Sequence, residues 1–185
     1  MSTRITKRVL SVFLAVCMLF SSFTMTAFAS TVTWTPSENT KIYVDGTSVG
    51  HFQDMKYEAN LFSEEYAEKL DRRLNVTIGS VSDADSGDII LMYDGDVSHE
   101  QGFRVTVYRS QLIIAASGDD GLFYGWQYVI KQMLANGCVA ATTEAPDVNE
   151  RAVSLDNGRK YYTVDAIKTL IREMAWAGMN TLVIK

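Results

Sequence analysis

Cysteine and histidine are almost missing from this 185-residue sequence, which holds two of each. One cysteine, Cys17, lies in an N-terminal segment that reads as removable. Only Cys138 then remains, and no internal disulfide can close. Stability must come from a packed core, and the chain is long enough for one domain of ordinary size. His51 and His99 stand far apart, and no H-E-x-x-H run exists, which argues against a zinc protease. There are no internal repeats, no low-complexity linker and no basic stripe. The 17 Lys and Arg are outnumbered by 22 Asp and Glu, for a formal net charge of -5. Nucleic acid is therefore not an expected partner, whereas neutral substrates or sugars suit the surface at least as well. No G-x-G-x-x-G run occurs, so a dinucleotide site is disfavoured. No cofactor and no metal are expected. Asp83, Asp85 and Asp88 share a loop, but Gly87 and Asp88 fall in the wrong places for a calcium loop and no Glu closes it, so a solvated turn is the simpler reading.

The first 29 residues read as a signal peptide. Arg4, Lys7 and Arg8 form a basic start, Val9 to Thr26 is uncharged and mostly apolar, and Ala27-Phe28-Ala29 is an A-x-A cleavage site. The alternative is a membrane anchor, because the apolar run approaches the roughly 20 residues that span a bilayer. The cleavage site and the polar segment after it favour removal, hence a secreted or extracytoplasmic protein with no stable membrane span. Leu14-Ala15-Val16-Cys17 is a poor lipoprotein box, since Val16 is too large before the cysteine. Asn75-Val76-Thr77 is a glycosylation sequon, relevant only in a eukaryotic secretory route.

Residues 30–150 read as a small mixed α/β domain, a sheet with helices packed on it. Ser30 to Asn39 is polar, with Pro36, and reads as a mobile leader. Lys41 to Val44, Val76 to Ile78 and Ile89 to Tyr93 read as strands. Ser63 to Leu74 reads as a helix capped by Ser63, with Glu64 and Glu65 at the positive end of its dipole. Phe103 to Tyr108 and Leu112 to Ala116 form a hairpin signal around Arg109-Ser110-Gln111, though the turn lacks the Asn-Gly type. Asp119 and Asp120 open a helix whose Leu122, Trp126, Val129, Ile130, Met133 and Leu134 recur at helical spacing, and Asn136-Gly137 ends it. Phe123, Tyr124 and Trp126 are aromatics that can stack on sugar, although the spacing puts Trp126 in the core. Asp94, Asp96, His99 and Glu100 form an acidic loop that reads as solvated. Ala145-Pro146-Asp147 marks a linker.

Residues 151–185 read as one strand–helix–strand unit. Val153 to Leu155 is a short strand, Thr163 caps a helix carrying Ile167, Leu170, Ile171 and Met174 on one face, and Gly178 ends it. Thr181 to Ile184 is continuously apolar, as expected of a parallel strand buried on both faces. A doubly wound sheet and a (β/α)8 barrel both begin this way. The chain stops at this second strand, with no turn or cap after Ile184, and so reads as the front of a longer protein. In a barrel, the loop after a strand's C-terminal end faces the active site. Here that loop holds Asp156, Arg159, Lys160, Tyr161 and Tyr162. Arg159 can offer its planar fork to hydroxyl oxygens, with Asp156 holding it or accepting from a hydroxyl. A plain surface ion pair fits the same residues.

The stretch from Arg151 to Lys185 resembles the opening of the catalytic barrel of glycoside hydrolase family 20, the β-N-acetylhexosaminidases, with lacto-N-biosidases as relatives. The family's first strand typically ends in Asp-x-x-Arg-His-aromatic, matched here by Asp156, Arg159 and Tyr161 with Lys160 in place of His. Met179-Asn180 precedes the second strand, as a similar pair does in the family. Gly102-Phe103-Arg104-Val105-Thr106-Val107, Leu112-Ile113-Ile114-Ala115-Ala116 and Gly121-Leu122-Phe123-Tyr124-Gly125-Trp126-Gln127 are similar to the non-catalytic α/β domain before that barrel. The resemblance runs from about Gly87 to Lys185. It implies that Arg159 binds hydroxyls of a terminal N-acetylhexosamine, with Asp156 a weaker candidate. It also implies a substrate-assisted mechanism in which the 2-acetamido carbonyl attacks the anomeric carbon, an Asp orients the amide and a neighbouring Glu is the general acid. That pair belongs to a later barrel strand, so this chain is expected to hold no catalytic residue and to be inactive alone. Lys160 and Val183-Ile184-Lys185 depart from the pattern, which leaves a lacto-N-biosidase-like specificity open. A non-catalytic carbohydrate-binding or structural module is the alternative of a different class.

Overall fold

The computed structural model describes residues 32–46 and 52–185. The expected signal segment with Cys17, and His51, lie outside the described residues.

Among the described residues, ten strands and three α-helices follow in order. They are β1 (Thr33–Trp34), β2 (Lys41–Asp45), α1 (Phe52–Leu70), β3 (Asn75–Gly79), β4 (Ile89–Tyr93), β5 (Phe103–Tyr108), β6 (Gln111–Ala116), α2 (Asp119–Asn136), β7 (Val139–Ala140), β8 (Thr142–Glu144), β9 (Ala152–Leu155), α3 (Val164–Trp176) and β10 (Thr181–Ile184). Six strands make one sheet in the order β3-β2-β4-β6-β5-β8. The first four run parallel, and β5 runs antiparallel to both its neighbours.

Strand alternation explains where the core sits. The register aligns Ile42, Ile89, Leu112 and Val107 in one row, and Val44, Leu91, Ile114 and Val105 in the next. These residues lie on one face, against α1 and α2. Helix α1 presents Met55, Ala59, Phe62 and Tyr66 to them, and α2 presents Leu122, Trp126, Val129 and Ile130. Each fully buried aliphatic or aromatic side chain contributes about 1.5–3 kcal/mol.

Three expectations need correction. Helix α1 begins at Phe52, well before Ser63, and ends at Leu70. Ser63 is an interior residue, buried, and its hydroxyl donates to the Leu74 carbonyl at 2.6 Å. A serine followed by two glutamates imitates a cap, but the apolar period starts upstream. The expected mobile leader contains β1, which pairs with β7, and Trp34 is buried in the core. Strand β10 is not covered on both faces, since Val183 is 40% and Ile184 54% exposed.

The β5–β6 hairpin forms despite its unusual turn. Arg109 and Ser110 both take positive φ, 49° and 63°, as a two-residue turn of the primed type requires. The Gly87 amide donates to the Ser110 carbonyl at 2.9 Å, tying the turn to the neighbouring loop.

Strands β9 and β10 pair in parallel as a separate two-stranded sheet, with α3 between them. The Thr163 hydroxyl accepts from the Ala166 amide at 3.2 Å, the expected N-cap. Gly178 takes φ 75° just past the helix. Among the described residues this is one strand–helix–strand unit and not a closed barrel. No helix among the described residues is long and apolar enough to cross a membrane.

Candidate functional site

Arg159 and Asp156 sit together where β9 runs into the loop before α3. The Asp156 carboxylate accepts from the amides of Gly158 and Arg159, at 3.1 and 3.3 Å, folding the chain into a tight side-chain-closed turn. Its other oxygen lies 3.1 Å from Arg159 Nε. The turn is also pinned from β10: the amides of Asn157 and Gly158 donate to the Lys185 carbonyl at 2.8 and 3.2 Å, and the Lys185 amide donates to Leu155. Arg159 is 89% exposed and Asp156 45%, so the ion pair itself contributes little stability. It orients the guanidinium and leaves the fork's terminal nitrogens for another acceptor. Tyr161 is exposed beside it, and the Lys160 ammonium lies 5.4 Å from the Tyr162 ring centre. Hydrogen-bond donors and an exposed aromatic ring thus share one loop.

The other sequence candidates serve the fold. Asp88 is buried, not solvated: its carboxylate accepts from the amides of Lys41 and Asp85, both at 2.8 Å, joining the start of β2 to the loop before β4. Asp94 is ion-paired with Arg104. The His99 ring accepts from the Gln101 amide at 3.0 Å through Nδ1 and lies 3.0 Å from Asn149 Oδ1 through Nε2. Trp126 is buried, stacked on Phe62 at 5.7 Å, and donates to Glu58 at 2.9 Å. Burial pushes the Glu58 carboxyl above its usual range, more than the Trp126 hydrogen bond lowers it, and Asp119 and Asp120 add to the rise. Tyr93 donates to Asp119, and its phenol is pushed well up by burial and that neighbour. Among the described residues, no group of three His, Cys, Asp or Glu is placed to hold a metal.

One cluster had no signal in the sequence. Arg151, just before β9, donates from Nε to the Gly178 carbonyl at 2.6 Å, and from one terminal nitrogen to Val148 at 2.5 Å. Its other terminal nitrogen donates to Gln101 Oε1 at 2.9 Å and to the Tyr124 hydroxyl at 2.8 Å. Asn180 joins them, donating to the Asn149 carbonyl at 2.7 Å and accepting from the Arg151 amide at 2.8 Å. On the far side, Trp176 of α3 lies between the ammonium groups of Lys69 and Lys131, 5.4 and 5.0 Å from the ring centre. Burial pushes the Lys131 ammonium's pKa down. Beside the Arg151 cluster is a cavity of about 290 Å³, lined by Phe103, Tyr124, Tyr128 and Lys131 among others.

No protein-family model matches this sequence, and no curated protein matches it significantly. Solved structures do resemble it. The glycoside hydrolase family 20 β-N-acetylhexosaminidase from Streptomyces coelicolor A3(2) is 25% identical, with a TM-score of 0.60 over 83% of this chain and 31% of its own. The family 20 exo-β-N-acetylglucosaminidase from Vibrio harveyi, solved in complex with N-acetylglucosamine, is 19% identical, with a TM-score of 0.61 over 83% of this chain and 23% of its own. A family 138 enzyme targeting pectin rhamnogalacturonan II is 13% identical, with a TM-score of 0.56 over 78% of this chain and 18% of its own. The chain thus has a fold like that of family 20 enzymes, and spans less than a third of the length of these structures.

Proposed function

We propose that this chain is the N-terminal part of an exported glycosidase that hydrolyses terminal β-linked N-acetylhexosamine by substrate-assisted catalysis. The observation that carries the reading is the joint one: a fold like that of family 20 glycosidases, with an exposed arginine held by an aspartate at the C-terminal end of the first strand of a parallel strand–helix–strand unit. In this reading residues 1–29 are a signal peptide, residues 30–150 the non-catalytic α/β domain, and residues 151–185 the start of a (β/α)8 barrel. Arg159 donates to hydroxyls of the terminal sugar, and Asp156 holds the guanidinium in place. The acetamido-orienting Asp and the general-acid Glu are supplied from beyond Lys185.

Binding a sugar hydroxyl through a charged donor is worth about 1.5–3 kcal/mol. Arg159→Ala in the full-length parent is therefore expected to lower kcat/KM on a chromogenic N-acetylglucosaminide by roughly 10- to 100-fold. Unchanged kinetics would remove Arg159 from the site. The 185-residue chain alone is expected to give no turnover. Mass spectrometry of the exported protein is expected to find a start at or near Ser30, and a retained Met1 in membranes would point to an anchor.

A further inference from the structure

We propose that Arg151 is a positioning residue for Arg159: it locks the base of β9 to the α/β domain, and the β9–β10 ladder carries that anchor to the sugar-facing loop. The proposal rests on the glycosidase reading above for its kinetic consequence, and on hydrogen bonding for its geometry.

The two arginines stand at opposite ends of β9. Arg151 reaches both parts of the molecule at once. It donates to Gln101 and Tyr124 on the α/β side, and to Gly178, in the turn between α3 and β10, on the other. The guanidinium also lies over the Tyr124 ring, 5.3 Å from its centre. A planar, permanently charged fork can satisfy these divergent acceptors together, and a lysine cannot.

From that anchor the hydrogen bonds run without a break. The Arg151 carbonyl accepts from the amides of Asn180 and Thr181, at 3.0 and 3.2 Å. The parallel ladder continues from Ala152 opposite Thr181 to Leu155 opposite Ile184. The Lys185 amide then donates to Leu155, and the Lys185 carbonyl accepts from Asn157 and Gly158. Asp156 closes the turn on Arg159.

The lever is short and stiff. Four strand residues span about 13 Å, so a tilt of about 5° at the base moves the far end by about 1 Å. A displacement of that size takes a hydrogen bond from Arg159 to a sugar hydroxyl out of bonding range and so weakens binding. Among the described residues, the 156–162 loop makes its hydrogen bonds within itself and to Lys185, and none to the α/β domain. Its placement relative to that domain therefore depends on the base of the strand, where Asn180 also donates to Asn149 and Gln101 beside Arg151, and on the contact of Trp176 with Lys69 and Lys131.

The test uses the full-length parent and a chromogenic N-acetylglucosaminide. Arg151→Met is expected to raise KM by about tenfold with kcat nearly unchanged. In an Arg159→Ala background the same substitution is expected to leave KM within about twofold, because the group it positions is gone. Tyr124→Phe, which keeps the ring and removes one acceptor, is the milder variant should Arg151→Met fail to fold, and is expected to raise KM about two- to threefold. Equal KM effects with and without Arg159 would overturn the proposal, since a disturbance that does not act through Arg159 changes KM alike in both backgrounds. A parent without any turnover would refute the glycosidase reading alone. Amide exchange on the 185-residue chain then decides the anchor: Arg151→Met is expected to speed exchange at Asn157, Gly158 and Lys185 while α2 and β4 keep theirs. Unchanged exchange at those three amides would overturn it.

Discussion

Replacing Gly121 with alanine sets two well-understood effects against each other. Gly121 is the third residue of α2, in its first turn, and alanine is favoured over glycine in a helix by up to about 1 kcal/mol. Propensity alone therefore predicts stabilisation. The packing predicts the reverse. A Cβ at Gly121 would overlap the Gly102 carbonyl oxygen and lie 2.8 Å from Ala116 Cβ. One neighbour is backbone and the other is the end of a central strand, so neither can rotate away. The helix must move outward by several tenths of an ångström. Leu122, Trp126, Val129 and Ile130 would move with it, all of them buried against the sheet. A gap of 0.5–1 Å forfeits a quarter to a half of each affected contact, and overpacking of a core costs about 1–3 kcal/mol, occasionally more. Two contacts under 3 Å place the cost in the upper part of that range, about 2–3 kcal/mol, and subtracting the propensity gain leaves a destabilisation of about 1–2 kcal/mol, or roughly 2–8 °C in Tm for a chain of this size. Urea unfolding of the 185-residue chain reads this as a lower midpoint with an unchanged slope. Gly95→Ala, where nothing lies within 4 Å of the added methyl, is the control and should be neutral or slightly stabilising. A Gly121→Ala variant as stable as the parent would refute the account of how α2 seats on the sheet.

Two further outcomes follow from buried carboxylates. Glu58 holds its proton to higher pH in the folded chain than at its ordinary value of 4.5. The folded state therefore binds more protons than the unfolded one above that value, and stability falls as pH rises through the window up to the raised pKa. Unfolding midpoints measured across that range should fall less steeply in Glu58→Gln, and an identical slope would exclude Glu58 as the source. Asp88→Ala removes the acceptor of two backbone amides, those of Lys41 and Asp85. It should destabilise by about 2–6 kcal/mol, at about 1–3 kcal/mol for each of the two donors left unpaired. A loss below 0.5 kcal/mol in denaturant would mean that water replaces the carboxylate.

What could be read from the sequence was local in origin. Apolar runs in β4 and β6 and the period of α2 are properties of short windows, and those elements appear where the residues place them. Thr163 starts α3 through its hydroxyl, and Gly178, with no Cβ, takes the positive φ just past its end. Errors arose where a local signal was ambiguous. Ser63-Glu64-Glu65 imitates a helix start inside a longer helix, and a polar leader conceals the single apolar anchor Trp34. Asp88 looked like a turn residue because its partners, the amides of Lys41 and Asp85, are backbone groups that carry no sequence signature. The pairing of Asp156 with Arg159 spans three residues and could be foreseen. The Arg151 cluster could not, because Gln101 and Tyr124 are distant in sequence and polar residues of this kind are common on surfaces.

The pairing of β1 with β7 bears on the order in which the chain can assemble. Trp34 faces Val139, roughly a hundred residues later. During synthesis the first strand emerges early and must wait for its partner until nearly the whole α/β domain has been made. Until then a large indole destined for the core has no place in it, and the incomplete chain displays the apolar faces of α1 and α2. Once Val139 and Ala140 arrive, the domain closes at its earliest and latest segments together. Arg151 is translated only a few residues afterwards, onto a surface that is already formed. Closure of the first part thus comes just before docking of the second, which limits the time in which the exposed edge of β9 can find a wrong partner.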